Sequence, residues 1–166
     1  MSAAPKTTPI NPLFDKRLIN AFVDGVIKTL KTIASVEASP GKPFIESSYV
    51  VKGEIAGMVG LVAPPLKGSL IISYSKESIF HIMESMLGEK YEEINGEVSD
   101  AVGEMTNMIY GSAKTTLNQM GFNFEMAIPS VISGDFKIVH TDKGATLVIP
   151  FNLTNGSTFF VEIVVR

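Results

Sequence analysis

The order of a long helix followed by several strands occurs twice along this chain. Residues 13–33 have apolar side chains at helical spacing, and strand-like runs follow them up to Tyr74. Residues 99–121 form a second long helical pattern, and strands follow it up to Val165. Each unit ends in a glycine–serine turn before an apolar strand. This repetition predicts an internal duplication: a mixed α/β domain of the α+β kind, pseudo-two-fold, with helices on one side of a mostly antiparallel sheet.

The boundaries of the remaining elements follow from turn and cap residues. A helix that begins near Ser75 or Glu77 is predicted to end at Gly88, and the next begins at Ser99 as N-cap and ends at Gly121. Residues 39–43 are a cluster of chain breakers. Strands are predicted at residues 49–57, 58–62, 69–74, 128–132, 136–141, 145–153 and 158–165.

Composition favours one domain and excludes several kinds of chemistry. With 166 residues, 45% of them hydrophobic, residues 13–166 suit a single domain, and the polar residues 1–12 are predicted to be a disordered tail. The absence of cysteine excludes thiol nucleophiles, thiolate metal sites and disulfides. A net charge of −3 gives no field that gathers nucleic acid, and glycine and proline break the apolar residues 55–66 before they reach membrane-spanning length. Since residues 1–12 also lack an apolar signal segment, we expect a cytoplasmic protein.

The third helical pattern separates into an apolar stripe and a narrow polar band. Glu104 and Asn107 are three residues apart within the band, so both side chains can reach one partner. Gly111, one turn later, costs a helix interior about 1 kcal/mol relative to alanine and calls for an explanation. From periodicity alone, a solvated helix face stays the alternative. The band comprises Asp100, Glu104, Asn107, Gly111, Lys114, Thr115 and Asn118.

The order of residues in this band resembles a known signature. Asp100-x3-Glu104-x2-Asn107 is similar to the D/S-x3-E-x2-N motif of the CheC, CheX and FliY family of bacterial chemotaxis phosphatases. The resemblance extends over residues 16–165, including the methionine-rich second helix that ends in glycine and the segment 129–134, and it is greatest to the CheX branch.

The resemblance implies hydrolysis of the aspartyl phosphate on a phosphorylated CheY-type receiver. Asn107 is then expected to position the attacking water, and Glu104 to pair with a lysine of the receiver. Asp100 and Gly111 are expected to contact the partner. No cofactor of its own is expected, because the receiver is expected to bring Mg²⁺.

The resemblance also carries expectations about symmetry and assembly. CheC-type members carry a second Glu-x-x-Asn on the first helix, where this chain has Arg17 and Asn20, so one active centre per chain is predicted. CheX-like proteins form homodimers through their sheets. Residues 158–165 are either an exposed edge suited to that contact or an internal strand.

Other chemistry lacks a matching pattern. His81 and His140 have no neighbouring ligand spacing, and neither a phosphate-binding loop nor a nucleophile triad is recognisable. Two further functions stay open. One is a non-catalytic module that docks on or sequesters a receiver or a flagellar-switch component; the other is a structural subunit, which requires Glu104 and Asn107 to be buried or bonded internally.

Overall fold

A computed structural model describes residues 15–47, 49–139 and 145–165, so the predicted tail at residues 1–12 lies outside the described residues. The helices are α1 (Lys16–Ala34), α2 (Lys76–Leu87) and α3 (Gly96–Gln119). The strands are β1 (Ala38–Pro40), β2 (Phe44–Glu46), β3 (Val50–Ala63), β4 (Leu66–Tyr74), β5 (Ser130–Val139), β6 (Thr146–Leu153) and β7 (Thr158–Val165).

All strands join one antiparallel sheet in the order β1-β6-β7-β4-β3-β5, with β2 also paired to β6. The hairpins β3–β4 and β6–β7 are matching halves that meet at the sheet centre, where Ile72 pairs with Val161. Each half is flanked by strands from the other unit: β5 pairs with β3, and β1 and β2 pair with β6. The predicted duplication and fold class are therefore confirmed.

The helices pack on one face of this sheet and enclose the main apolar core. α1 and α3 cross closely at Gly25, where an added Cβ would lie 3.1 Å from the carbonyl oxygen of Ile109. A side chain at this point would push the helices apart, so glycine on the buried side of α1 sets their spacing.

α3 also approaches β3 closely, at Gly57. A Cβ added to Gly57 would overlap Oγ1 of Thr106 and lie 3.0 Å from the Cβ of Thr106. The Thr106 side chain is fully buried, and its hydroxyl donates a hydrogen bond to the carbonyl oxygen of Val102 at 2.7 Å. A bare backbone on the strand thus accommodates the one polar side chain that α3 turns toward the sheet at this point.

Cap residues define most of the helix ends as predicted. Ser75 caps α2, and Gly88 ends it with φ 73°. Gly121 follows α3 with φ 101°, as expected of a terminal glycine. The predicted N-cap of α3 at Ser99 is wrong: the side chain of Asn95 accepts a hydrogen bond from the Val98 amide at 3.0 Å, so the helix begins at Gly96.

Two strand predictions are wrong at glycine residues. The predicted division between residues 57 and 58 does not exist, because Gly57 pairs with Ile72 in an uninterrupted β3–β4 ladder. The predicted strands at 128–132 and 136–141 form the single strand β5, which passes through Gly134 at φ 106°, although residues 140–141 lie outside the described residues. At Gly57 cross-strand pairing overrides the local preference of glycine for turns, whereas Gly134 lies where the register between β3 and β5 shifts. The short strands β1 and β2 were not predicted.

β7 lies between β6 and β4, so residues 158–165 form an internal strand and the exposed-edge alternative is wrong. Phe159, Val161 and Ile163 belong to the core beneath the helices, and Glu162 and Val164, which alternate with them along the strand, are buried on the opposite face of the sheet.

A second, smaller apolar cluster lies on the sheet face away from the helices and surrounds a buried carboxyl group. Glu162 is fully buried there, and its Oε1 accepts hydrogen bonds from Ser73 Oγ at 2.7 Å and from the Tyr49 hydroxyl at 3.3 Å. Its Oε2 has no partner among the described residues. Burial raises the pKa of Glu162 to about 8, so the carboxyl group is protonated at neutral pH.

No helix within the described ranges combines the length and hydropathy that a bilayer crossing requires.

The close approach at Gly57 predicts a specific loss of stability. Gly57→Ala is expected to lower the free energy of unfolding by about 1–3 kcal/mol, because the new methyl group displaces Thr106 and with it α3. Gly60→Ala is the matched control on the same strand, since nothing lies within 4 Å of its added Cβ. Urea unfolding of both variants is the measurement, and equal losses would contradict this account.

The buried Glu162 predicts that the free energy of unfolding decreases as the pH rises. The unfolded group has a pKa near 4.5 and the folded group near 8, so its stabilising contribution is complete below pH 4.5 and is lost as the pH rises through 8. Glu162→Gln keeps the shape without titrating. We expect the wild type to lose more free energy of unfolding between pH 5 and pH 9 than this variant; identical pH profiles would show that the carboxyl group is not the cause.

Candidate functional site

The exposed face of α3 carries the acidic and amide side chains of the sequence signature. Asp100, Glu104 and Asn107 follow one another at intervals of one helical turn and are all exposed, and Gly111 is half-buried one turn further on. Within the described residues, no hydrogen bond or ion pair engages the side chain of Glu104 or Asn107. Both are free for an external partner, so the structural-subunit interpretation, which required them buried or bonded, is excluded.

Two buried side chains on the sheet side of α3 fix the rotation of the helix about its own axis. Met105 and Thr106, the two residues between Glu104 and Asn107, are fully buried against the core and against Gly57 respectively. With these two side chains held inward, Glu104 and Asn107 point outward from adjacent turns. The packing therefore supplies a rigid base for two side chains that themselves have no internal partner.

A groove of about 360 Å³ runs between α1 and α3, and Met108, the residue that follows Asn107, lines it; we call it the α1–α3 groove. Sequence analysis missed it, because its walls come from helices that are far apart along the chain. The mid-helix Gly25 was the one available signal of a close helix crossing. Among the residues that line the groove are Lys28, Thr32, Met108, Gly111, Ser112 and Thr115.

Asn118, at the C-terminal end of the polar band, forms hydrogen bonds within the chain. Asn118 Nδ2 donates to the Phe124 carbonyl oxygen at 3.1 Å, and its Oδ1 accepts from the Phe124 amide at 2.8 Å. The Tyr110 hydroxyl donates to the carbonyl oxygen of Glu125 in the same connection. Asn118 thus anchors the chain that leaves α3, so the band available to a partner ends before it.

The positions on α1 that correspond to Glu104 and Asn107 of α3 follow from the crossing of the two helices. Gly25 lies five residues after Asn20, and Ser112 lies five residues after Asn107. An added Cβ at Gly25 would lie 3.7 Å from the Cβ of Ser112, so these two residues meet at the pseudo-symmetric crossing. This placement supports the correspondence of Asn20 with Asn107 and of Arg17 with Glu104.

Arg17 is occupied by contacts of its own. Its Nη2 lies 2.8 Å from Oδ2 of Asp15, and its guanidinium carbon lies 5.0 Å from the centre of the Phe122 ring. The neighbouring guanidinium lowers the pKa of Asp15, mainly through the side-chain hydrogen bond. α1 therefore presents Asn20 beside a paired cation, where α3 presents Asn107 beside a free carboxylate.

Metal-binding side chains do not converge within the described ranges, where no group of three or more His, Asp or Glu residues has a suitable arrangement. The His81 ring Nε2 lies 3.4 Å from the Thr154 hydroxyl, and His140 lies outside the described residues. What α3 offers is the carboxylates of Asp100 and Glu104 and the carboxamide of Asn107 on a rigid surface.

Comparison with known proteins identifies relatives along nearly the whole chain. The family model described as chemotaxis phosphatase CheX matches residues 55–152. The CheY-P phosphatase CheX of Thermotoga maritima is 27% identical over 154 residues, which span 92% of this chain and 97% of the relative. Among solved structures, a CheC-like superfamily protein from Shewanella sp. PV-4 is 41% identical, with a TM-score of 0.84 over 92% of this chain and 99% of that chain. A CheX–CheY–BeF3–Mg²⁺ complex from Borrelia burgdorferi contains a chain 28% identical, with a TM-score of 0.72 over 90% of this chain and 97% of that one.

Proposed function

The chain belongs to the CheX family of chemotaxis phosphatases, and from this premise we propose that it hydrolyses the aspartyl phosphate of a phosphorylated CheY-type response regulator. The observation that carries the proposal is the pair Glu104 and Asn107, exposed and free of internal bonds on a helix whose rotation the core fixes. The fold alone is shared more widely and does not specify this activity.

The reaction needs little from this chain beyond geometry. Water attacks the phosphorus, the bond from phosphorus to the aspartyl oxygen breaks, and the products are inorganic phosphate and the free aspartate. Phosphoryl transfer depends mainly on positioning and electrostatics. The Asn107 carboxamide has both an acceptor and donors, so it holds the attacking water in line with the breaking bond. Because an amide does not titrate near neutral pH, Asn107 is no general base.

Glu104 supplies orientation. Its carboxylate pairs with a lysine of the receiver, and the fixed offset of one turn then brings Asn107 to the phosphoryl group. Asp100, exposed one turn before Glu104, extends the same acidic edge and contacts the receiver there. Gly111 contacts it on the other side of Asn107.

We assign the magnesium ion to the receiver. The complex of CheX with CheY from Borrelia burgdorferi contains Mg²⁺ and BeF3 together with both proteins, which supports this assignment. Mg²⁺ takes oxygen ligands, often one or two carboxylates together with phosphate oxygens, and a phosphorylated aspartate pocket provides such a set.

We place the protein in the cytoplasm, with its receiver, and we expect a homodimer through the sheet, as in CheX-like proteins. Since β7 is internal, the dimer contact falls to the edge strands β1, β2 or β5. Edge strands have unpaired backbone groups that a second copy can complete.

Asn107→Ala is expected to lower kcat about 100-fold, because the positioned hydrogen bond to the attacking water is lost. Asn20→Ala, the corresponding exposed amide on α1, is the matched control and is expected to retain wild-type activity. The measurement is release of labelled phosphate from a phosphorylated CheY-type receiver in the presence of Mg²⁺. Equal rates for Asn107→Ala and the wild type would overturn the proposal. Tight binding by the wild type without faster phosphate loss would favour the non-catalytic docking module.

Glu104→Ala is expected to raise KM about tenfold with a smaller effect on kcat, because a charge-assisted contact with the receiver is removed. The difference from the wild type is expected to shrink as salt screens that contact. Glu97→Ala removes the same charge from the first turn of α3 and serves as the control. An unchanged KM in Glu104→Ala at low salt would contradict the docking role.

A further inference from the structure

We propose that the α1–α3 groove is a second binding subsite for the receiver, in which an acidic loop beside the phosphorylation pocket packs over Gly111 and pairs with Lys28. The inference rests on the proposed function and extends it to partner recognition. It gives α1, which lacks the Glu-x-x-Asn pair, a part in the same interface.

Gly111 is the first observation. Nothing lies within 4 Å of a Cβ added to Gly111, whereas at Gly25 and Gly57 the chain's own atoms exclude a side chain. A glycine in a helix interior costs about 1 kcal/mol relative to alanine. Since packing within the described chain does not require that cost, the bare backbone at Gly111 suits the close approach of another molecule.

The position of the groove is the second observation. Met108 and Gly111 both line it, and they follow Asn107 by one and four residues. One helical turn corresponds to about 5.4 Å along the axis, so Gly111 in the groove wall lies about one turn from the amide that meets the phosphoryl group. A receiver seated with its phosphoryl group at Asn107 is therefore close enough for a neighbouring loop to reach this groove.

Charge determines which loop fits. Lys28 is the one charged residue among those that line the groove, and it has no salt bridge within the described ranges. The Thr115 hydroxyl donates to the Gly111 carbonyl oxygen at 2.9 Å, which leaves its oxygen able to accept a hydrogen bond from a backbone N–H. The loop that complements Lys28 is one beside the Mg²⁺ site that carries a further carboxylate, in addition to those that ligate the ion.

Glu104 and Lys28 therefore place opposite charges on the two sides of Asn107. A carboxylate toward the N-terminal end of α3 selects a receiver lysine, and an ammonium across the groove selects a receiver carboxylate. Such a pattern sets the orientation of docking and rejects partners of the wrong charge order.

The close approach of the receiver to Gly111 is tested by measuring affinity for a receiver in its Mg²⁺–beryllofluoride form, a stable analogue of aspartyl phosphate. Gly111→Ala and Gly111→Gln are expected to weaken binding about tenfold, while their free energies of unfolding stay equal to the wild type or rise. Gly103→Ala is the control in the same helix, since its added Cβ would lie at an ordinary 3.4 Å from Cγ2 of Val131. It is expected to keep wild-type affinity.

The charge part is tested on α1. Lys28→Glu is expected to weaken binding about tenfold at low salt, whereas Lys31→Glu, exposed on the same helix but outside the groove, makes the same charge change with little effect. Lys28→Arg is expected to restore affinity. A loss shared equally by Lys28→Glu and Lys31→Glu would indicate a general charge effect and would overturn this part.

The receiver subsite in the groove and the proposed function can be contradicted separately. If the wild type hydrolyses the phosphorylated receiver and the Gly111 variants bind it with wild-type affinity, the subsite is wrong and the proposed function stands. If the wild type neither binds nor dephosphorylates any CheY-type receiver, the proposed function fails first and the subsite fails with it.

Discussion

The contact between Thr106 and the bare backbone of Gly57 holds α3 against the sheet, and the functional face depends on it. Thr106 and Met105 point inward, so Glu104 and Asn107 on either side of them point outward. The close crossing of α1 and α3 at Gly25 holds the other flank of the helix. Gly25 and Gly57 therefore allow the close packing that holds α3, and with it the backbone of Glu104 and Asn107, in a fixed position.

This surface is chemically incomplete by itself. A carboxylate and a carboxamide can orient a partner and a water molecule, but they bring neither a nucleophile nor a metal ion. An aspartyl phosphate is intrinsically labile, so positioning is a sufficient contribution once the receiver supplies the reactive bond and the ion. The absence of cysteine excludes thiol nucleophiles and thiolate metal sites, and the proposed reaction requires neither.

Most of the locally determined features could be predicted from the sequence, with the N-cap of α3 at Asn95 as an exception, whereas features determined by strand pairing could not. Ser75 and Gly88 bound α2 as predicted, because caps act within one helical turn. The local pattern predicts a break at Gly57, yet the long ladder with β4 carries the strand through it, and only the packing of α3 explains why glycine is needed there. For the candidate site, the signature predicts Glu104 and Asn107, which are both exposed on α3, whereas the groove that contains Lys28 exists only once α1 lies beside α3.

The central claim is that this chain orients an attack whose reactive parts lie on the receiver. The most direct test compares two acyl phosphates under one set of conditions: a phosphorylated CheY-type receiver and free acetyl phosphate, each with Mg²⁺ and saturating protein. The account predicts faster loss of phosphate from the receiver and an unchanged rate for acetyl phosphate. Hydrolysis of acetyl phosphate at a comparable rate, or no acceleration with the receiver, would contradict it.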